Sequence, residues 1–387
     1  MRHTLTAFCR IRIDSRPYDP DMHSRAFVLV ALFIACSPLA LAPRAAAQDD
    51  GSRKHHKHEK DDASPADSAA APTPATPAVG NNISAWYMTL HGGTADTILQ
   101  FDAKGTALPS VLGPIPDSIG TVHGLRGMLR LADDTLLVIA AWKENTQILR
   151  FGAPASNGTR PFLSVFAKQD ASNPLMLHPY CLAQASDGSI YASNQDTNTI
   201  TRYAAPSSPN AGTPIDCAGN PSTGAQAGMI VPDAKSSPDG LHAVRGIAFG
   251  PDGLLYVADR GDGQVSRWNV TTGTRVDTLL KKKDSDKTPI QLLFTPDGKS
   301  LLISDNKLNC VVQVTLADQK WKVLIPESAG IDAASSLAVS GDSLYVGSRK
   351  GKEILRFNLA DGTPESAPFL QNLPDNPEFF IPGRLGS

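Results

Sequence analysis

A four-residue pattern that recurs six times between residues 98 and 357 constrains the fold of this chain more than any other feature of its sequence. Each copy has a β-branched residue, then any residue, then Arg or Gln, and most copies end on an aromatic side chain. The copies occupy residues 98–101, 148–151, 200–203, 265–268, 311–314 and 354–357. Their mean spacing of about 51 residues suits a repeat unit of four short strands.

Each copy from the second onward follows the same series of a strand, a tight turn, a second strand and a loop, seen most clearly in residues 244–268. The turn dipeptides are Asp133-Asp134, Asp187-Gly188, Asp252-Gly253, Asp297-Gly298 and Gly341-Asp342. An Asp-Gly pair between apolar runs predicts a β-hairpin. The strands are apolar on both faces, as expected where each sheet packs between two others. The sequence therefore predicts an all-β, six-bladed propeller with four-stranded blades.

The first copy of the repeat lacks a leading strand, because the folded region opens at residues 83–87 with no partner before them. Residues 377–381, with Phe379 and Phe380, follow the sixth copy. We expect this segment to become the innermost strand of blade one. Such a C-terminal strand would close the ring and leave no exposed edge between the first and last blades.

The amino-terminal region has the features of an export signal. Arg25 precedes an apolar run at residues 26–42, and Ala45-Ala46-Ala47 supplies the small residues of a cleavage site before Gln48. Residues 1–47 are therefore predicted to be a signal peptide, which places the mature protein in the periplasm or outside the cell. No stable membrane span is expected after cleavage. Acidic residues before Met22 are unusual in a signal, so we expect translation to begin at Met22.

Two alternatives for this region stay open. The apolar run is marginal in length for a permanent membrane anchor, and Ser37 and Pro38 interrupt it. Cys36 could carry a lipid, but Phe33 occupies the position where a lipobox usually has Leu.

Residues 48–80 form a linker rich in Ala, Pro, His and Lys with almost no large apolar side chains. Such a segment cannot bury a core, so we expect a disordered tether before the propeller of residues 81–387. His55, His56 and His58 are close enough to chelate a metal, although a mixed-charge run of this kind is more typical of a solvated tether.

Composition and motifs exclude several classes of function. A formal net charge of −2 gives no broad basic field, so nucleic acid is not an expected partner. The sequence contains no HExxH helix, Walker loop or GxSxG elbow. Any chemistry must therefore come from residues scattered over the blades.

Residues 244–268 resemble an NHL repeat, and the region from 83 to 387 is similar to the six-bladed propellers of the NHL and SMP-30 (gluconolactonase-like) superfamily. The resemblance implies the fold but not the activity, because such propellers serve as lactonases, lyases, hydrolases and binding modules. It also implies that a site, if present, lies where the channel meets the loops before the inner strands and after the second strands.

Arg126, Tyr180 and Arg245 precede the turn acid by seven residues in blades two, three and four, and Ile290 and Ser335 follow in the next two. These side chains are predicted to ring the channel mouth. The four histidines of the folded region map to the same side: His91, His123, His178 and His242. An alternative is that the repeated His-x-x-Arg-Gly motif only stabilises turns, with Arg bound to carbonyls and to nearby Asp residues.

Two functions fit these residues. In the first, Arg126 and Arg245 donate forked hydrogen bonds to a small anionic ligand or to a protein partner, and Tyr180 or Trp142 provides a flat wall. In the second, suggested by the gluconolactonase resemblance, a metal-dependent hydrolase or lactonase holds Ca²⁺ or Mg²⁺ through hard oxygen ligands. The candidate ligands are Asn194, Asp259, Asp305 and Glu378 of the closing strand.

The resemblance also excludes one kind of site. Amidating and streptogramin lyases of this fold place zinc-binding His residues seven positions before the turn acid. This chain has Arg126, Tyr180 and Arg245 there, so that zinc pattern is not reproduced.

Overall fold

The recurrent pattern lies in or directly beside the third strand of every blade. The computed structural model describes residues 83–91, 96–280 and 287–385. Their strands are β1 (Ala85–His91), β2 (Leu99–Asp102), β3 (Ala107–Leu108), β4 (Leu125–Arg130), β5 (Leu136–Ala140), β6 (Gln147–Phe151), β7 (Phe162–Lys168), β8 (Pro179–Gln184), β9 (Ile190–Asn194), β10 (Thr199–Tyr203), β11 (Met229–Val231), β12 (Val244–Phe249), β13 (Leu255–Asp259), β14 (Gln264–Asn269), β15 (Thr274–Leu280), β16 (Pro289–Phe294), β17 (Ser300–Asp305), β18 (Cys310–Thr315), β19 (Trp321–Ile325), β20 (Ala334–Ser340), β21 (Ser343–Ser348), β22 (Glu353–Asn358) and β23 (Asn376–Gly383).

These strands form six antiparallel sheets, one per blade, so the predicted six-bladed, all-β propeller is confirmed. Blade one has the order β23-β1-β2-β3, and blades two to five each consist of four consecutive strands. Blade six has only β20, β21 and β22, which corrects the expectation of four strands in every blade. Its outer position is taken by an irregular segment bridged to β22 at Leu370 and Pro364. Proline lacks the N–H that a regular outer strand would donate.

The ring closes through β23, as the sequence predicts. β23 pairs antiparallel with β1, with Met88 opposite Phe380. The rings of Trp86 and Phe380 stack with their centroids 4.5 Å apart. Phe379 and Phe380 are both buried, so the closing strand contributes to the core as well as to the sheet.

The repeated Arg has a structural role on the face that carries the hairpin turns, here called the turn face. Arg202 Nη2 lies 2.5 Å from Asp187 Oδ2, and Arg267 Nη1 lies 3.2 Å from Asp252 Oδ2. Arg150 forms the same contact with Asp133 at 3.4 Å. In each case the third strand is tied to the turn between the first two strands of its own blade.

The long connection at residues 204–243 supplies β11, the outermost strand of blade three. It contains Cys217, which is a free thiol, as are Cys181 in β8 and Cys310 in β18.

The predicted signal peptide at 1–47, the start at Met22 and the linker at 48–80 lie outside the described residues. Within the described ranges, no helix has the length and apolar character needed to cross a membrane.

Candidate functional site

Each inner strand carries a β-bulge close to its beginning. In β4 the pairing register shifts between Leu125 and Met128, and β12, β16 and β20 shift at the equivalent place. In β8 the pairing register shifts between Pro179 and Cys181. In β23 it shifts where the strand faces Thr89 and Leu90 of β1. A bulge bends its strand and redirects a side chain. The first bulged residues, here called the mouth ring, are Glu378, Arg126, Tyr180, Arg245, Ile290 and Ser335 in blades one to six.

The glycines that follow the two ring arginines are required by packing. A Cβ atom on Gly127 would lie 2.6 Å from the Tyr180 carbonyl oxygen, and one on Gly246 would lie 2.5 Å from that of Ile290. Each glycine thus lets the next blade bring its own ring residue close. The Arg-Gly pair in the repeated His-x-x-Arg-Gly motif therefore combines a redirected side chain with a close backbone approach.

Hydroxyl groups from neighbouring blades hold the ring backbone in place. These bonds run from Thr89 to the Arg126 carbonyl (3.0 Å), from Ser193 to that of Arg245 (2.6 Å) and from Ser304 to that of Ser335 (2.6 Å). The ring is therefore preorganised by contacts that do not use its side chains.

Glu378 is the charged centre of the mouth ring, and its side chain is almost fully buried. Its Oε2 atom lies 3.3 Å from both His91 Nδ1 and Arg349 Nε, and its Oε1 atom lies 3.7 Å from Arg126 Nη1. Burial alone would raise the pKa of Glu378, but the contact with His91 and the charges of Arg126 and Arg349 outweigh burial and hold the pKa well below its usual range. Glu378 is therefore a stable carboxylate.

Arg126 reaches three groups at once. Besides Glu378, its guanidinium contacts His91 Nδ1, and its Nη2 atom lies 3.5 Å from His178 Nε2. Its Nε atom is buried and has no hydrogen-bond partner among the described residues. The guanidinium therefore retains donor capacity that the protein itself does not use.

Tyr180 lies at the centre of these charges. Its ring packs on Phe379 with centroids 5.1 Å apart, and the Arg245 guanidinium lies 5.7 Å from its centroid. Burial raises the pKa of Tyr180, and the charge of Glu378 acts in the same direction. Arg245, Arg349 and Arg126 oppose this rise, which indicates that all three are near the phenol. Tyr180 is nevertheless buried, so it does not form the exposed wall that the sequence suggests.

Arg245 has no carboxylate in ion-pair contact within the described part of the chain. Its Nη1 atom donates a hydrogen bond of 2.7 Å to the Val244 carbonyl oxygen, and its guanidinium lies over the ring of Tyr180. Burial lowers the pKa of Arg245, and the like charges of Arg260 and Arg126 act in the same direction. Arg245 is a partly buried cation with no carboxylate in direct contact among the described residues, although the charges of Glu378 and Asp196 act on it without contact.

Each of the four histidines has a carboxylate neighbour. His178 Nδ1 lies 3.3 Å from Asp196 and His242 Nδ1 lies 3.0 Å from Asp262, while His123 contacts Asp96 and His91 contacts Glu378. The His123 ring also meets Trp142 edge-on at 5.4 Å, and Trp142 is 42% exposed. His91 and His178 therefore contact the mouth ring through Arg126, whereas His123 and Trp142 form a separate pair in the loops of blade two.

The proposed metal ligands are not brought to one point. Asp259 accepts backbone N–H bonds from His242, Ala243, Gly261 and Asp262. Asp305 accepts them from Thr288, Lys307 and Leu308, and Asn194 Nδ2 donates to Ala192, Thr199 and Thr201.

These contacts show that the three side chains stabilise the loops after the second strands of their own blades. None of these hydrogen bonds involves Glu378. In the described ranges, the group of His, Cys, Asp or Glu residues whose ligand atoms all lie within 4.8 Å is His242, Asp259 and Asp262. Asp259, Asp305 and Glu378 do not form a group of this kind among the described residues, so a Ca²⁺ or Mg²⁺ site built from them stays a prediction.

Arg349 is the site residue that the sequence analysis does not single out. It follows Ser348 after the second strand of blade six and reaches across to Glu378 in blade one. Arg260 holds the equivalent place in blade four, directly after Asp259. The comparison of equivalent loops places Arg349 beside the mouth, but its carboxylate partner is defined only once the ring is closed.

Comparison with known proteins finds similarity in solved structures alone. No family model and no curated protein matches the chain. A chain of a nidogen/laminin complex aligns with a TM-score of 0.56 and 16% identity, over 77% of this chain and 97% of that one. A protein from Lactobacillus plantarum aligns with a TM-score of 0.51 and 18% identity, over 74% of this chain and 81% of that one. A putative 6-phosphogluconolactonase from Bacteroides fragilis aligns with a TM-score of 0.48 and 14% identity, over 79% of this chain and 85% of that one.

At these identities the similarity concerns the fold and not the site. Membership of the NHL or SMP-30 superfamily stays a prediction. What this chain shares with the solved structures is the architecture of a β-propeller, here one of six blades.

Proposed function

We propose that the mouth ring binds a small anionic molecule bearing a carboxylate or phosphate group. The observation that carries this proposal is the imbalance of charge: Arg126, Arg245 and Arg349 converge on the mouth. Among the described residues, Glu378 is the carboxylate in contact with them, and Asp196 adds one more negative charge near Arg245. A buried charge that lacks a partner is costly to the folded state. An anion that bridges the arginines would remove that cost.

The arginines are suited to this role by their chemistry. A guanidinium presents planar, forked donors that match the two oxygens of a carboxylate or phosphate. The unpartnered Nε atom of Arg126 leaves such a donor available. Arg245 approaches the same phenol from blade four, so a ligand above Tyr180 would be held from two sides.

The predicted signal peptide places this binding outside the cytoplasm. We therefore propose a periplasmic or secreted protein that captures its ligand from the surrounding medium. The buried rings of Tyr180 and Phe379 pack on each other beside Arg245, which favours a small ligand over an extended chain.

Calorimetric titration tests the proposal with inorganic phosphate, sulfate and propionate as probes. We expect the wild type to bind at least one of them, and Arg245→Met to weaken that binding by about 10- to 100-fold, since a charge-assisted hydrogen bond contributes about 1.5–3 kcal/mol. Arg245 is chosen because it lies outside the direct contacts of Glu378, so its removal leaves those contacts intact.

The matched control is Arg267→Met, which removes a guanidinium from the turn face. It should leave the affinity unchanged. Equal binding by wild type and Arg245→Met would place the anion site elsewhere, and no binding of any probe by the wild type would refute an anion site at the mouth.

The metal-dependent hydrolase has one observation in its favour, because Glu378 occupies the ring position of blade one. Calcium and magnesium titrations of the wild type and Glu378→Gln separate the two functions. One tightly bound ion per chain, lost in the variant, would favour the hydrolase. Absence of binding would leave the anion receptor.

A further inference from the structure

His178 has a backbone conformation that a side chain rarely adopts. Its φ angle is +49°, in the left-handed region, and it directly precedes β8. At the equivalent place before β4, blade two has Gly124 with a φ of +61°. Glycine adopts this conformation without steric penalty, whereas other residues do so at a cost to folding. In blade six the equivalent residue is Ala333, with a φ of +59°, so the conformation belongs to the fold, and what distinguishes blade three is the imidazole at this place.

The imidazole is oriented by contacts on both of its nitrogen atoms. Nδ1 lies 3.3 Å from Asp196 Oδ1, and Nε2 lies 3.5 Å from Arg126 Nη2. Because a guanidinium can only donate hydrogen bonds, we assign Nε2 as the acceptor and place the proton on Nδ1, facing Asp196. Asp196 thus fixes the tautomer in which His178 presents a lone pair to the channel mouth.

This lone pair is unusual in its surroundings. Arg126, Arg245 and Arg349 offer only donors, and the carboxylate of Glu378 is already surrounded by His91, Arg126 and Arg349. The contact between His178 Nε2 and Arg126 is at the outer limit of hydrogen-bond distance, so a closer donor would replace it. The mouth therefore combines several donors for an anion with an acceptor, His178 Nε2, for a proton-bearing group.

We propose that His178 selects, among the anions held by the mouth ring, those that also carry an O–H group. The inference rests on the proposed anion site. The ligand class it names is a hydrogen-bearing oxyanion such as hydrogen phosphate, or a carboxylate with an adjacent hydroxyl. For such a ligand the O–H donates to His178 Nε2 while its charged oxygens accept from the arginines.

An anion without this proton is rejected for a physical reason. Its oxygen would face the nitrogen lone pair, so the ligand would offer the acceptor no donor and the lone pair would repel the negative charge. Inorganic phosphate and sulfate make the comparison clean, because they share size and tetrahedral shape. At neutral pH phosphate keeps at least one O–H and sulfate keeps none. Charge alone would favour sulfate, so a preference for phosphate reports the acceptor.

The experiment measures the affinity of both anions by calorimetry at one neutral pH and one ionic strength, in wild type and His178→Gly. Glycine suits the backbone at this position, so the variant is expected to fold. The wild type should bind phosphate about tenfold more tightly than sulfate, the effect of one hydrogen bond gained and one repulsion avoided. In His178→Gly the ratio should fall to about one, with sulfate bound at least as well as before.

Lactate and propionate form a second pair of probes, in which the hydroxyl is on the carbon next to the carboxylate. The same direction of preference and the same loss in His178→Gly are expected. Gln319→Gly is the control variant, because Gln319 is exposed, has a φ of +56° and lies between β18 and β19. It should keep both preferences.

Failure of this inference and failure of the anion site give different results. If the wild type binds phosphate and sulfate equally, or if His178→Gly keeps the full preference, the selective role of His178 is wrong while the anion site stands. If the wild type binds none of the four probes, the anion site and the selectivity inferred from it are both refuted.

Discussion

The arginines of the turn face and those of the channel mouth come from the same repeated blade, yet their charges are compensated in different ways. On the turn face, Arg202 and Arg267 each contact an Asp in the turn of their own blade. At the mouth, Arg126 and Arg349 share Glu378, and Arg245 contacts no carboxylate among the described residues. Where an arginine of the repeat has a carboxylate partner in its own blade, the pair belongs to the fold. Where that local partner is missing, as at the mouth, a functional site is indicated.

The two regions also differ in how far their partners are separated. Each turn-face pair joins two strands of one blade, so it forms wherever a blade forms. The charges at the mouth come from blades one, two, four and six and meet only in the assembled ring. Partly exposed pairs contribute little stability, whereas buried charges depend strongly on their partners.

Removal of residues 374–387 should have the largest effect, because it breaks the mouth and the ring together. Loss of β23 removes the buried contacts of Phe379 and Phe380, worth about 1.5–3 kcal/mol for each side chain, which together are a large share of the stability of a typical domain. Thermal unfolding followed by circular dichroism should show a sharply lowered Tm or no cooperative transition. Removal of residues 386–387 alone is the control. An unchanged melt of the longer truncation would mean that β23 is dispensable for closure.

The substitution Glu378→Gln removes the carboxylate of the mouth and keeps the closing strand β23 in place. Arg126 and Arg349 would remain buried without their carboxylate, and loss of one partner of a buried pair costs about 3–5 kcal/mol. Glu365→Gln is the matched control, since Glu365 pairs with Arg356 at the partly exposed edge of blade six and should cost at most about 1 kcal/mol. Urea unfolding measures both. Equal losses in the two variants would remove the distinction between mouth and edge.

The same carboxylate should produce a pH dependence of stability. Because the pKa of Glu378 is lowered in the folded state, its contribution is complete above the unfolded value of about 4.3 and is lost as the pH falls through the folded pKa. Urea unfolding of the wild type between about pH 2 and 6 should show this loss, and Glu378→Gln should lack it. Parallel profiles for the two proteins would show that Glu378 is not held by its arginines.

Arg245→Met and Arg267→Met sharpen the comparison at the level of single arginines. Arg267 has its own carboxylates, so its loss should destabilise by about 1 kcal/mol or less. Arg245 is buried without one, so an apolar replacement should leave the free energy of unfolding unchanged or raise it by about 1 kcal/mol. Chemical denaturation resolves the sign. Destabilisation by Arg245→Met larger than that by Arg267→Met would make Arg245 a structural residue.

The smallest expected effect isolates one turn-face pair. Asp187→Asn keeps an oxygen for the Ser189 N–H but loses the ion pair to Arg202. In blade five the repeat has Gln313 in place of Arg, so Asp297→Asn changes the turn without an equivalent pair. The difference between the two variants should be about 0–1 kcal/mol by urea unfolding. A larger difference would mean that the turn-face pairs are a main source of stability.

The fold could be predicted from the sequence because its signals are local and repeated. Six copies of one strand pattern and the Asp-Gly turns predict the blades, and the missing partner of the first copy predicts β23. The four-stranded count fails in blade six, where Pro364 and Pro368 interrupt the outer segment. That departure is visible in the sequence but is easily missed beside a strong repeat.

The site was predicted only in part, for a physical reason. Counting seven residues back from the turn acid finds the ring positions of Arg126, Tyr180 and Arg245, because equivalent positions in a repeat occupy equivalent places. It does not reveal that the carboxylate oxygens of Asp259 and Asp305 accept hydrogen bonds from backbone N–H groups. Nor does it reveal that Arg349 meets Glu378, because that contact joins two blades distant in sequence.

The position of Glu378 on β23 also sets an order of events during folding. β23 follows every other described strand in the chain, and the Tyr87 hydroxyl that donates to the Arg384 carbonyl joins residues 297 positions apart. Contacts of such separation form late and slowly. Until they form, Arg126 and Arg349 face the channel as unmatched cations. The last strand therefore brings the carboxylate of the mouth into place in the same step that seals the ring, so the binding site and the finished fold appear together.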